Sequence, residues 1–232
     1  MTLLKICGLR HPDQARAVAA LGVDAIGVIA VPGSPRHLEP ERRPALFAAV
    51  QQERPGCRRV LVVADPTEAE WPALQADRGH DVVQLHGAES PELCAALRQR
   101  LGLPLWKAVR VRDPQQLADC QRWCGVVDAL LLDAWVPDQL GGTGHPIPPE
   151  WLVSFAPPLP WWLAGGVTAE RAPALLRQFR PTGLDASSGV EDAPGEKNLA
   201  RVAALVEAVR REGASAEAGG ALPSASGSEF RR

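Results

Sequence analysis

Apolar, often β-branched residues gather along this chain in eight short runs, at positions 3–7, 25–30, 60–64, 82–86, 105–111, 129–133, 161–164 and 183–186. Each is short for a helix and fits a strand buried on both faces. Between them the pattern changes to alanine- and leucine-rich segments with helical spacing, such as HPDQARAVAALG, SPELCAALRQRLG and DPQQLADCQRWCG. Several open on proline beside a serine or acidic residue and close on glycine, the usual punctuation of helices. The connection after the sixth run, rich in glycine and proline, is the least regular. Strict alternation of β and α elements predicts a parallel sheet. Eight such units in roughly 200 residues predict an α/β fold of the (β/α)8, or TIM-barrel, type. An open doubly wound sheet is the structural alternative, but it announces its nucleotide site with G-x-G-x-x-G, which is absent here. A single barrel domain is expected over residues 1–212. Residues 213–232, GASAEAGGALPSASGSEFRR, hold few large apolar groups and are expected to be a disordered tail.

In such a barrel, chemistry collects at the C-terminal ends of the strands, and there the hydrophobic pattern breaks. The first run, LLKIC, puts Lys5 and Cys7 on one face and Leu4 and Ile6 on the other. A buried amine beside a thiol is costly unless it is used. The sixth run ends ALLLD, so Asp133 shares a face with Leu131 and is expected at the lumen mouth. A helix cap is the alternative reading of Asp133. A thiol and a carboxyl facing each other across a mouth make a base and an acid. Arg36, in GSPRH, lies in a proline-stiffened loop expected to overhang that mouth, and a guanidinium matches a substrate carboxylate bidentately. His86, in QLHG, fits a hydrogen-bonded structural residue as well as a catalytic one. Three turns complete the set: Gly142, Thr143 and Gly144 after the sixth run, Gly165 and Gly166 after the seventh, and Ser187, Ser188 and Gly189 after the eighth. Backbone N–H groups in such turns cradle phosphate, so a phosphorylated small molecule is the expected ligand.

Composition narrows the partners. The 232-residue chain is 46% hydrophobic, enough for one core of barrel size, and its net charge of −2 with no basic stripe argues against nucleic acid. The longest apolar stretches are broken by aspartate and too short to span a bilayer, and the N-terminus lacks a signal-peptide pattern. Five cysteines without framework spacing fit a reducing, cytoplasmic compartment. Cys120 and Cys124 stand at helical spacing without a second ligand pair, so no metal is expected. The seven tryptophans are expected to serve packing. A monomer is the expected state, with a homodimer as the alternative.

Taken in order, KICG, SPR, QLHG, LLLDA followed by GGTG, LAGG and DASSGVE…PGEK resemble the phosphoribosylanthranilate isomerase family of tryptophan biosynthesis, over residues 3 to about 208. The resemblance implies a (β/α)8 barrel without metal or organic cofactor. It implies an Amadori rearrangement of N-(5-phosphoribosyl)anthranilate to 1-(2-carboxyphenylamino)-1-deoxyribulose 5-phosphate. It makes Cys7 the general base, Asp133 the general acid and Arg36 the receptor for the anthranilate carboxylate. The turns at 165–166 and 187–189 become the phosphate site. Lys5, beside Cys7, is expected to stabilise the thiolate. The chain departs from the family pattern at Arg171, where asparagine is usual, and at Asn198, where aspartate is usual. It also departs in HPIPPEW after GGTG and in GVIAV of the second strand, where phenylalanines are common.

Two rivals use the same scaffold. The histidine-pathway sugar isomerase carries out the same step on a two-phosphate substrate with a pair of aspartates, which Cys7 and a single phosphate cradle disfavour. An inactive barrel retained as a binding partner would have no need of an intact acid, base and arginine.

Overall fold

A computed structural model describes residues 2–135 and 144–219, with side chains to residue 214. Its eight parallel strands close into a barrel in chain order. They are β1 (Leu3–Cys7), β2 (Ala25–Ile29), β3 (Arg58–Val63), β4 (Val82–Leu85), β5 (Leu105–Val111), β6 (Ala129–Ala134), β7 (Trp161–Leu163) and β8 (Gly183–Ala186). All eight expected runs form strands, three with the expected bounds and the rest with ends moved by one or two residues. The outer helices are α1 (Pro12–Ala20), α2 (Arg43–Glu53), α3 (Pro91–Leu101), α4 (Gln115–Ala118), α5 (Pro149–Leu152), α6 (Ala172–Phe179) and α7 (Leu199–Gly219). A short antiparallel pair, β9 (Glu191–Ala193) and β10 (Glu196–Lys197), follows β8.

Local chemistry explains the elements. Proline occupies the first turn of α1, α2, α3, α5 and α6, where its missing N–H costs nothing. Ser90 caps α3 by accepting from the Leu93 N–H at 3.3 Å, and Gly102 ends it in the left-handed conformation. The crossover after β3 is a 3₁₀ helix, Glu68–Leu74, because Pro72 lies inside it and cannot continue an α-helical ladder. Helix α7 runs to Gly219, beyond the boundary expected between barrel and tail at 212. Its last stretch, GASAEAG, contains alanine and glutamate, both good helix formers. The rest of the expected tail, 220–232, lies outside the described residues.

The barrel packs in two shells. Inside, Ala25, Val60, Val62, Val82, Ala129 and Leu131 surround Trp106 and Trp162, whose rings are 4.9 Å apart. Outside, the alternate strand positions, including Leu4, Ile6, Leu130 and Leu132, meet the helices. Both strand faces are therefore buried, as the continuous apolar runs require. Among the described residues no helix is long and apolar enough to cross a membrane.

Trp162 is only 2% exposed and fills the lumen below the polar layer. Trp162→Ala should lower the unfolding free energy by about 3–5 kcal/mol in urea titrations. A loss below about 1 kcal/mol would mean that the lumen is not packed on this ring.

Candidate active site

The pleat of β1 turns Cys7 into the lumen and sends Leu4 and Ile6 to the outer shell. Lys5 shares the inner face of Cys7, is fully buried, and stands in register with Asp185 of β8. Its Nζ donates to Asp185 Oδ2 at 2.9 Å. Cys7 is in register with Gly27 of β2, and a Cβ at that glycine would lie 2.6 Å from the Cys7 Sγ. Gly27 thus makes room for the thiol. Gly8, which ends the run, has φ +85°, and a Cβ there would lie 2.6 Å from Cδ of Arg36. Glycine at this position lets the arginine stem cross the strand end.

One cavity at the C-terminal end of the barrel brings most of the expected residues together. Cys7, Arg36, His86, Asp133, Ser187 and Ser188 line it, with the turns at Gly144 and at Gly165–Gly166. Lys5 lies beneath, bonded to Asp185, which also lines the cavity. Gly189 stands apart from it, packed against Val167. Gly142 and Thr143 lie outside the described residues.

Asp133 stands on the inner face with Leu131, and its Oδ1 accepts from the Ala134 N–H at 2.9 Å. Its Oδ2 is 3.6 Å from His86 Nε2. Gln84, on the same face of β4, has its side-chain nitrogen 3.0 Å from His86 Nδ1. With Nδ1 accepting that bond, a neutral His86 carries its proton on Nε2, toward Asp133.

Arg36 is held by Glu191 at the start of β9. Its Nε lies 3.0 Å from Glu191 Oε1 and its Nη2 lies 2.7 Å from Oε2. Lys197 of β10 donates to Oε1 at 2.5 Å, and the Gly195 N–H donates to the same oxygen at 3.1 Å. Burial works against the charge of Glu191, but Arg36 and Lys197 outweigh it and hold the carboxyl below its usual range. The bidentate pair fixes the plane of the guanidinium at the cavity wall.

Lys5 lowers the Cys7 thiol, the direction expected of it, but burial and Asp185 push the other way, and the balance is above the ordinary value. The lysine is already engaged by Asp185, which leaves it charged in spite of burial.

Departures from the expected pattern also find their causes. Arg171 donates to the Gly166 carbonyl at 2.6 Å and so ties down the turn after β7. Asn198 accepts from the Arg201 N–H at 3.0 Å and caps α7 in the manner an aspartate would. Ser187 Oγ donates to the Cys7 carbonyl at 3.1 Å, joining the ends of β8 and β1.

A family model described as N-(5'phosphoribosyl)anthranilate (PRA) isomerase matches residues 4–208. The chain belongs to this family. The isomerase of Rippkaea orientalis is 43% identical over 204 residues, covering 88% of this chain and 94% of its own. That of Thermosynechococcus vestitus is 44% identical over 204 residues, covering 88% and 87%. Among solved structures, phosphoribosyl anthranilate isomerase from Thermus thermophilus is similar with a TM-score of 0.76 at 33% identity, covering 90% of this chain and 99% of that one. The Thermotoga maritima structure gives 0.81 at 25% identity, covering 91% and 100%.

Sequence reasoning missed Gln84, Asp185, Glu191, Lys197 and Gly27. Asp185 left a signal, since it interrupts an apolar run just as Asp133 does. Glu191 and Lys197 stood in the motif DASSGVE…PGEK, but their spacing alone resembles any polar loop and assigned them no role.

Because the Glu191 carboxyl sits below its unfolded value, its contribution to stability is present above about pH 4.3 and is lost as pH falls through the lower folded value. Glu191→Gln should therefore give a shallower loss of stability on acidification, read from urea melts between about pH 3 and 6. An unchanged acid slope would show that Glu191 is not charged in the folded protein.

Proposed function

We propose that this chain isomerises N-(5-phosphoribosyl)anthranilate to 1-(2-carboxyphenylamino)-1-deoxyribulose 5-phosphate, a step of tryptophan biosynthesis. The observation that carries the reading is a single lumen cavity lined by Cys7, Arg36 and Asp133 together with the glycine and serine turns after β7 and β8. A family with this activity covers nearly the whole chain.

The chemistry assigns each group. Asp133, in its acid form, gives its proton to the ribose ring oxygen. The C1′–O bond breaks, and the nitrogen lone pair forms the iminium. Cys7, as thiolate, removes the proton from C2′. The C–H electrons become the C1′=C2′ bond, and the iminium π electrons return to nitrogen, giving a neutral enolamine. Loss of the 2′-hydroxyl proton and protonation at C1′ complete the ketone, and solvent restores Asp133 and Cys7 to their starting forms.

Arg36, fixed by Glu191, receives the anthranilate carboxylate. The turns at 165–166 and 187–189 receive the phosphate, with Ser187 and Ser188 adding hydroxyls. His86 bridges Gln84 and Asp133 and orients the acid. All named groups belong to one chain, so a monomer suffices. The five cysteines are free, which suits a reducing compartment such as the cytoplasm.

Turnover is followed by the fall in fluorescence of phosphoribosylanthranilate generated in place from anthranilate and phosphoribosyl pyrophosphate. Cys7→Ala and Asp133→Ala should each lower kcat by ~10²-fold or more, the scale of a lost general acid or base. Arg36→Met should raise KM more than it lowers kcat, because it removes binding common to substrate and transition state. A folded but inactive intact protein would overturn the reading.

A further inference from the structure

The Lys5 ammonium lies within reach of two groups that can be anionic. One is the Asp185 carboxylate, bonded at 2.9 Å, and the other is the Cys7 thiol, two residues along on the same face of β1. All three side chains are more than nine-tenths buried, so this cluster accommodates one positive and one negative charge far more readily than any surplus. Asp185 and Cys7 therefore compete for the Lys5 ammonium.

Asp185 has a second feature. Its Oδ2 is taken by Lys5, while its Oδ1 is buried without a hydrogen-bond partner and belongs to a residue lining the cavity. One further buried atom without a hydrogen-bond partner, Gln84 Oε1, belongs to a residue lining the same cavity. Buried polar atoms are normally satisfied, so two orphans around one cavity mark places where a ligand completes the bonding. An acceptor-only carboxylate oxygen asks for a hydroxyl or N–H donor.

We propose that Asp185 receives a substrate hydroxyl on Oδ1 and by that contact hands the Lys5 ammonium over to the Cys7 thiolate. This inference rests on the isomerase reading of the site. The hydroxyl with the right place is the one on C2′, the carbon that gives its proton to Cys7. Before substrate binds, the carboxylate holds Lys5, and burial keeps Cys7 as a thiol. A donor on Oδ1 draws charge density from the carboxylate and weakens its hold on the ammonium, which then stabilises the thiolate. No covalent bond changes in this step. The base is thus armed by the substrate it deprotonates and is kept as an unreactive thiol otherwise.

Other charges face Cys7 and bear on the test. Lys197 of β10 lowers the thiol, and Arg36, His86 and Asp133 stand around the cavity rim. On β2 the residue in register with Cys7 is Gly27, and the strand, AIGVI, carries no charged side chain. None of these is changed by substituting Asp185, so the shift can be assigned.

The experiment is alkylation of the intact protein with iodoacetamide across pH, following Cys7 by peptide mass. The exposed Cys124 serves as the internal reference. In Asp185→Asn the carboxylate can no longer compete, and the thiolate becomes the counter-ion of Lys5. The Cys7 profile should move to lower pH by about one pH unit or more, the size expected for a charge change within ~4–6 Å. At the same time kcat should fall about tenfold or more, because the hydroxyl contact loses its charged acceptor. A profile that stays in place or moves to higher pH overturns the proposal, as does a shifted profile with unaltered kcat.

Should Asp185→Asn not fold, Lys5→Met decides: the profile must move to higher pH, and an unmoved profile overturns the proposal. Alkylation needs no substrate, so it can fail while the wild-type protein still turns over phosphoribosylanthranilate. That outcome removes the role of Asp185 and leaves the isomerase reading standing.

Discussion

The Lys5–Asp185 ion pair spans the seam at which the first and last strands close the barrel, joining residues 180 apart in the chain. An ammonium in a lumen otherwise packed with valine, alanine and tryptophan has no solvent to hold it. It can persist there only if a carboxylate meets it with good geometry. The register of β1 against β8 supplies that carboxylate, so closing the barrel and neutralising Lys5 are one event. Cys7 is positioned by the same pairing, two residues further along the face, with the Ser187 hydroxyl binding its carbonyl across the same seam.

A second charged layer covers the first. Arg36 comes from the loop after β2, whereas Glu191 and Lys197 come from the β9–β10 pair after β8. The three meet only when the two ends of the sheet are brought together. The wall proposed to receive the anthranilate carboxylate is thus a product of closure, as is the Lys5–Asp185–Cys7 cluster. On the proposed roles of Arg36 and Cys7, specificity and base strength fall under the control of the same seam, while Asp133 and His86 approach from β6 and β4 on the other side of the lumen.

The barrel was legible in the sequence because strands buried on both faces leave continuous apolar runs too short for helices, alternating with segments of helical spacing. The runs at 3–7, 105–111 and 183–186 became strands of those bounds. Alternation also placed Leu131 and Asp133 inside and Leu130 and Leu132 outside. Cys7, Asp133 and Arg36 were legible as polar breaks at strand ends. The partners that set their behaviour were less so. Asp185 could have been found as a second aspartate inside an apolar run, but its bond to Lys5 depends on a register that only closure fixes. Glu191 and Lys197 stood in the motif DASSGVE…PGEK, but their role was not readable there, because it arises from the contact of Glu191 with Arg36, 155 residues away in the chain. Lys5 favours the thiolate as expected, but burial and Asp185, which the sequence does not place beside it, outweigh it. Adjacent residues are readable in a sequence, but competition between a neighbour and a distant carboxylate for one ammonium is not. Helix α7 continues past residue 212 because a segment without large apolar groups still contains good helix formers.

The dependence of the structure on the Lys5–Asp185 pair is tested most directly by a double-mutant cycle in urea. Lys5→Met, Asp185→Leu and the double variant would be compared with the intact protein. Each single change leaves an uncompensated buried charge and should cost about 3–5 kcal/mol, whereas the double change should cost clearly less than their sum, with a coupling above ~1 kcal/mol. Effects that add to within ~0.5 kcal/mol would show that the two residues do not neutralise each other, and the account built on their closure of the barrel would be wrong.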